Sequence, residues 1–98
     1  MILRIARLVP RRGEEHVVLA HLREVLAGTH DVAGLVHASV GRELLDDRQV
    51  LWVVSAWESP ATLEGFVGPN VGDLRLPDDI VARLDEHSLT HAEGVDPV

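Results

Sequence analysis

The sequence predicts an α+β fold in which a four-stranded antiparallel sheet carries its helices on one side, in the order β-α-β-β-α-β. Three observations predict it. Four β-rich runs are separated by two stretches with helical start and stop signals. The gap between the second and third runs is shorter than the roughly dozen residues a parallel crossover needs. Apolar residues make up 46% of 98, enough for one packed core and too many for a disordered chain, so a single domain over residues 1–98 is expected.

The elements follow in order. Residues 2–9 alternate with Leu3, Ile5, Arg7 and Val9 on one face and Ile2, Arg4, Ala6 and Leu8 on the other, both largely apolar, and the run stops at Pro10. Arg11-Arg12-Gly13 turns the chain. Glu14 and Glu15 sit where a helix N-terminus favours negative charge, Val18, Leu22, Val25 and Leu26 form one buried stripe, and Gly28 ends the helix. Residues 34–41 alternate again, Val36, Ala38 and Val40 against the more polar Leu35, His37 and Ser39. Residues 42–48, with Asp46-Asp47, suit a hairpin loop. Residues 49–57 place Val50, Trp52, Val54 and Ala56 opposite Leu51, Val53, Ser55 and Trp57, as a central strand requires.

Ser59-Pro60 pairs a hydroxyl cap with proline at the first helical position, and Leu63, Phe66 and Val67 form the stripe of a short helix closed by Gly68-Pro69. The loop from Asn70 to Leu76 leads to Pro77, which opens a further short helix expected to hold Ile80, Val81 and Leu84, and residues 87–95 form the last strand. This order is the ferredoxin-like or split βαβ arrangement. It leaves one side of the sheet bare, yet the first and third strands are apolar on both sides. A second copy stacked sheet to sheet is the economical cover, so a homodimer is expected.

Composition removes several classes of function. Without cysteine there is no disulfide framework, thiolate metal site or Cys nucleophile, and without lysine no Schiff base. The net charge is −7, and no stretch clusters basic residues with aromatics, so nucleic acid is not an expected partner. Apolar runs fall far short of the roughly 20 residues of a membrane span, and the opening residues lack a signal-peptide pattern; a cytoplasmic chain is expected. His16 and His21 stand five apart on a helix and His87 and His91 four apart on a strand, so neither pair has metal-ligand spacing. No metal site is expected.

The opening Ile-Leu-Arg-Ile-Ala-Arg-Leu run with its Pro10-Arg11-Arg12-Gly13 turn, the third strand's Val54-Ser55-Ala56-Trp57-Glu58-Ser59 ending, and the short helix around Leu63 resemble the antibiotic-biosynthesis-monooxygenase family of dimeric α/β barrels, from Ile2 to Val95. The resemblance implies a homodimer with strands exchanged at the edges. Several relatives oxidise quinol-like aromatic substrates with dioxygen and neither metal nor flavin, and others open haem. In cofactor-independent relatives the tryptophan matched by Trp57 shares its pocket with an asparagine, a tyrosine and, in many, a histidine; here Val53, Leu63 and Phe66 stand at those positions. Ala6 replaces the asparagine of haem-degrading relatives, and no histidine lies near Leu76, which disfavours haem.

The site expected from these residues holds a small hydrophobic or aromatic ligand against Trp57, Phe66, Leu63, Val53 and Ser55. The indole of Trp57 offers an apolar surface with one N–H donor for a phenolic or quinone oxygen. His37, on the polar face of the second strand, is the expected base that converts a hydroxyl-aromatic substrate to its anion, and Arg4 offsets the developing charge. Trp52, on the opposite face from Trp57, is expected beneath the helices. The resulting function is a cofactor-independent monooxygenase acting on an aromatic, quinol-like or polyketide-like molecule. The alternative is a binding or structural dimer that has kept the fold and lost the catalytic groups.

Overall fold

The computed structural model describes residues 1–94. Strand β1 (Ile2–Pro10) leads through the Arg12-Gly13 turn to helix α1 (Glu15–Ala27), followed by β2 (Leu35–Leu45), β3 (Arg48–Trp57), α2 (Pro60–Val67), the short α3 (Asp78–Val81) and β4 (Leu84–Glu93). All pairings are antiparallel in the sheet order β2-β3-β1-β4, the ferredoxin-like topology. Three boundaries differ from expectation. The hairpin needs only Asp46 and Asp47 as its turn, so β2 and β3 extend toward it; Asp46 takes a left-handed φ of 57°, which aspartate tolerates. Leu84 opens β4 rather than closing α3, because the chain pairs with Pro10 as soon as it leaves the helix. Val95, expected to end the last strand, lies outside the described residues.

Helices and sheet meet around Leu8, Leu51, Val18, Leu22, Ile80 and Leu84. Parity then assigns the sheet faces. Arg4, Ala6 and Leu8 of β1 and Leu51, Val53, Ser55 and Trp57 of β3 face the helices, whereas Leu3, Ile5, Trp52 and Val54 face away. Trp52 is therefore not beneath the helices as expected. It lies on the open face, where its Nε1–H donates to Glu43 Oε2 at 3.0 Å.

Strand β2 breaks its own alternation. The pairing shifts between Leu35, opposite Trp57, and His37, opposite Ala56, which leaves Val36 as an extra residue in a bulge. Leu35 and Ala38 thus share the helix side, and His37 and Ser39 fall on the open face with Val54 and Ala56. One inserted residue reverses every side chain on one side of it.

The entry to α2 is fixed twice. Ser59 Oγ accepts from the Thr62 N–H while Thr62 Oγ1 accepts from the Ser59 N–H, both at 3.2 Å, in a reciprocal capping box. Beside it the Glu58 N–H donates to the Gly34 carbonyl at 2.8 Å. Gly34 has φ +82°, and a Cβ there would lie 2.3 Å from Thr62 Cβ, so strand and helix approach closely only because this residue has no side chain. Gly34→Ala is expected to cost about 2–4 kcal/mol by strain and overpacking, a Tm loss of more than about 8 °C by thermal denaturation. Gly13→Ala, at φ +87° but in open space, is the control and should cost only about 1 kcal/mol.

Candidate functional site

The helix side of the sheet is unevenly filled. Large residues, Leu8 and Leu51, occupy the end beneath Val18 and Ile80, but Ala6, Ala38 and Ser55 occupy the end beneath the C-terminal half of α1. Short side chains there leave a cavity of about 300 Å³ between sheet, α1, α2 and the segment Leu74–Leu76. Its floor is Trp57, only 2% exposed, whose ring lies 5.3 Å from that of Phe66 at a tilt of 34°. Its mouth is apolar: Val25 and Phe66, each 50% exposed, both line it.

Of the expected site residues, Arg4, Val53, Ser55, Trp57 and Phe66 line this cavity together. Two do not. Leu63, 3% exposed, packs in the interior and is absent from the cavity wall. His37 stands exposed on the open face, because the Val36 bulge turns it away from Leu35; the expectation that it shares a pocket with Trp57 is not met. The imidazole that does line the cavity is His21, one turn before Val25 on α1. Its i, i+4 relation to Val25, beside the Leu22 and Leu26 stripe, was a legible signal. Arg75, also on the wall, lies in an irregular segment where no periodicity points to it.

Hydrogen bonding changes the expected role of the indole. Trp57 Nε1–H donates to Ser55 Oγ at 3.0 Å, so the tryptophan donor is already satisfied. The serine hydroxyl proton stays available, and a ligand oxygen would meet Ser55 rather than the indole.

Arg4 is the most constrained polar group on the wall. Its Nη1 donates to the Val71 carbonyl at 2.6 Å and its Nη2 to the Asp73 carbonyl at 3.1 Å, pinning the segment that precedes Leu74. Nη1 also contacts His91 Nε2 at 2.9 Å across the β1–β4 pair. A guanidinium has no acceptor, so His91 Nε2 accepts and the imidazole is neutral, with its proton on Nδ1. Burial pulls the Arg4 pKa below the ordinary arginine value, and burial together with the adjacent Arg4 charge pulls the His91 pKa down. Among the described residues no cluster of three His, Asp or Glu side chains is placed to hold a metal ion.

The sequence profile of the antibiotic biosynthesis monooxygenases matches residues 1–68, from β1 through α2. The chain belongs to that family. Among solved structures it is similar to an antibiotic biosynthesis monooxygenase at 18% identity over 98% of this chain and 100% of that one, with a TM-score of 0.76. PA3566 from Pseudomonas aeruginosa matches at 18% identity over 97% and 94% of the two chains, with a TM-score of 0.77. The heme-degrader MhuD from Mycobacterium tuberculosis, solved with two hemes bound in its active site, matches at 17% over 100% and 99%, with a TM-score of 0.71. At these identities the structural likenesses establish the fold. No curated protein matches the chain by sequence.

The Arg4–His91 bond predicts a pH dependence of stability. Above about pH 6.5 the imidazole is neutral folded and unfolded; below it the unfolded chain binds the proton more readily, because the folded pKa is depressed, so the folded state loses stability as pH falls. In His91→Gln the amide oxygen can accept from Arg4 without titrating. Thermal denaturation should show the variant gaining on the unmodified protein as pH falls from about 7 to 5, and a constant difference would contradict the assignment.

Proposed function

We propose that the cavity binds a flat, largely apolar aromatic molecule and that the protein oxidises it with dioxygen as a cofactor-independent monooxygenase, working as a homodimer. The observation that carries this reading is the pairing of a buried indole floor with the exposed Phe66 ring at an apolar mouth, in a cavity at the lower end of the small-molecule range. Family membership supplies the reaction class. His21 takes the part expected of His37: its imidazole on the wall accepts a proton from an acidic C–H or O–H of the bound aromatic. Arg4 lowers the energy of the anion, and Ser55 donates to its oxygen. The carbanion forms a C–O bond with dioxygen, and the hydroperoxide loses water, so a methylene plus O2 becomes a carbonyl plus H2O.

Haem fits these residues poorly. Ala6 stands at the position that the resemblance gives to the haem degraders' asparagine, and the segment Asn70–Leu76 carries no histidine. A second reading, binding without turnover, is favoured by Val53 on the wall and Leu63 behind it, where oxidising relatives carry polar groups.

The dimer reading rests on the open face. Ile5 lies opposite Val54 and Leu3 opposite Ala56, forming with Trp52 an apolar strip over the two central strands that no helix covers. A second sheet stacked there would shield it and bring His37 to the interface.

Incubation with an anthrone under oxygen should yield the anthraquinone and water above the uncatalysed rate, with loss of about 100-fold or more in His21→Ala. No turnover in the unmodified protein would leave the binding reading. Trp57→Ala should weaken neutral naphthol binding at least tenfold. Ala38→Leu should do the same by filling the cavity while holding or raising stability, by up to about 1 kcal/mol.

Sedimentation at micromolar protein should give twice the mass of one chain. Ile5→Asp, which places a charge in the proposed interface, should give a folded monomer. A monomeric unmodified protein would remove the dimer.

A further inference from the structure

The cavity wall carries charge of one sign. Arg4 and Arg75 line it and, among the described residues, no aspartate or glutamate does, although the chain as a whole has a net charge of −7. Of the other seven arginines five pair with a carboxylate, Arg7 with Glu86, Arg11 and Arg48 with Asp85, Arg12 with Asp47 and Arg83 with Glu14, while Arg23 and Arg42, which also form no ion pair among the described residues, stand away from the cavity. Among the described residues neither Arg4 nor Arg75 has a carboxylate partner. Arg4 is half-buried and its protein partners are two carbonyls and a neutral imidazole, which use three of its five N–H groups and cancel none of its charge. Arg75 holds its guanidinium over the end of α2, where a Cβ on Gly68 would lie 3.4 Å from Nη2. Two cations without a carboxylate partner raise the local concentration of anions, and an ion pair to the half-buried Arg4 is less screened than one in open water.

From this wall we infer that the natural ligand is an organic anion: an aromatic body against Trp57 and Phe66 with a permanent carboxylate engaged by Arg75 and Arg4. The inference rests on reading the cavity as a small-molecule site and goes beyond it. Arg4 acts on the bound ligand before any reaction, and Arg75 becomes a determinant of specificity. A carboxylate accepts bidentately from a guanidinium fork, whereas a neutral carboxamide of the same shape leaves that charge unpaired. The apolar remainder of the wall, including Leu22, Leu26, Leu74 and Leu76, sets the other half of the preference and rejects small hydrophilic acids.

The test is isothermal titration of the intact protein with a matched pair, naphthalene carboxylate and naphthalene carboxamide. The carboxylate should bind at least tenfold more tightly, in line with a charge-assisted hydrogen bond, and its advantage should shrink with added salt. Arg75→Glu should abolish or reverse that advantage, and Arg75→Gln should fall between. Arg75 is exposed, and thermal denaturation of each variant checks that the fold is intact. Equal binding of the two probes would overturn the anion inference and leave the cavity reading standing. Binding of neither at millimolar concentration would overturn both.

Discussion

The protein depends on a mismatch in size along one face of its sheet. Leu8 and Leu51 hold the helix layer at a normal packing distance at one end, and Leu8 and Leu22 serve both the core and the cavity. A rigid helix spans both ends, so it cannot drop onto Ala6, Ala38 and Ser55 without driving its other turn into those leucines. The empty volume is thus enforced by the filled one. Closing the cavity by collapse would cost packing in the core, and a ligand of suitable shape recovers contacts that the protein cannot make with itself.

The wall opposite α1 has a different origin. The segment after α2 has no regular structure and few apolar anchors, yet it lines the cavity through Leu74, Arg75 and Leu76. Its position is set by Arg4, which reaches from a central strand to two of its carbonyls. One residue therefore joins two functions: it gives the cavity its edge and leaves a positive charge there. The neutral state of His91 belongs to the same arrangement, because a protonated imidazole beside Arg4 would lose its acceptor and add repulsion.

What could be read from sequence divides along physical lines. Element order, the antiparallel hairpin, the α2 cap at Ser59 and the two-sided apolar character of β1 and β3 are local or periodic properties, and all are present in the structure. Alternation puts Val53, Ser55 and Trp57 on one strand face and Arg4 with Ala6 on another, and the family resemblance points to those faces and to Phe66 as the pocket side, where they line the cavity. Alternation alone misplaces His37, because a single bulged residue inverts every side chain beyond it and no sequence period marks the bulge. The side that Trp52 occupies is not legible from alternation, because the two apolar faces of β3 look alike in sequence. Arg75 lies where neither period nor propensity acts, and its role emerges from three-dimensional placement alone.

The two faces of the sheet carry separate demands, and strand alternation keeps them separate. Changes at Ala6, Ser55 or Trp57 reshape the cavity with little effect on Leu3, Ile5 or Val54 one residue away, because neighbouring side chains point to opposite sides. A family built on this sheet can vary its chemistry on the helix side while preserving the apolar strip on the other. In this chain the wall is apolar at Val53, Trp57 and Phe66, and arginine charge stands on it at Arg4 and Arg75. Substituting an ionic anchor for a set of hydrogen-bonding anchors changes which molecules the cavity distinguishes. Hydrogen-bond donors and acceptors read the pattern of a ligand's oxygens, whereas two unpaired guanidinium groups read its charge first and its shape second.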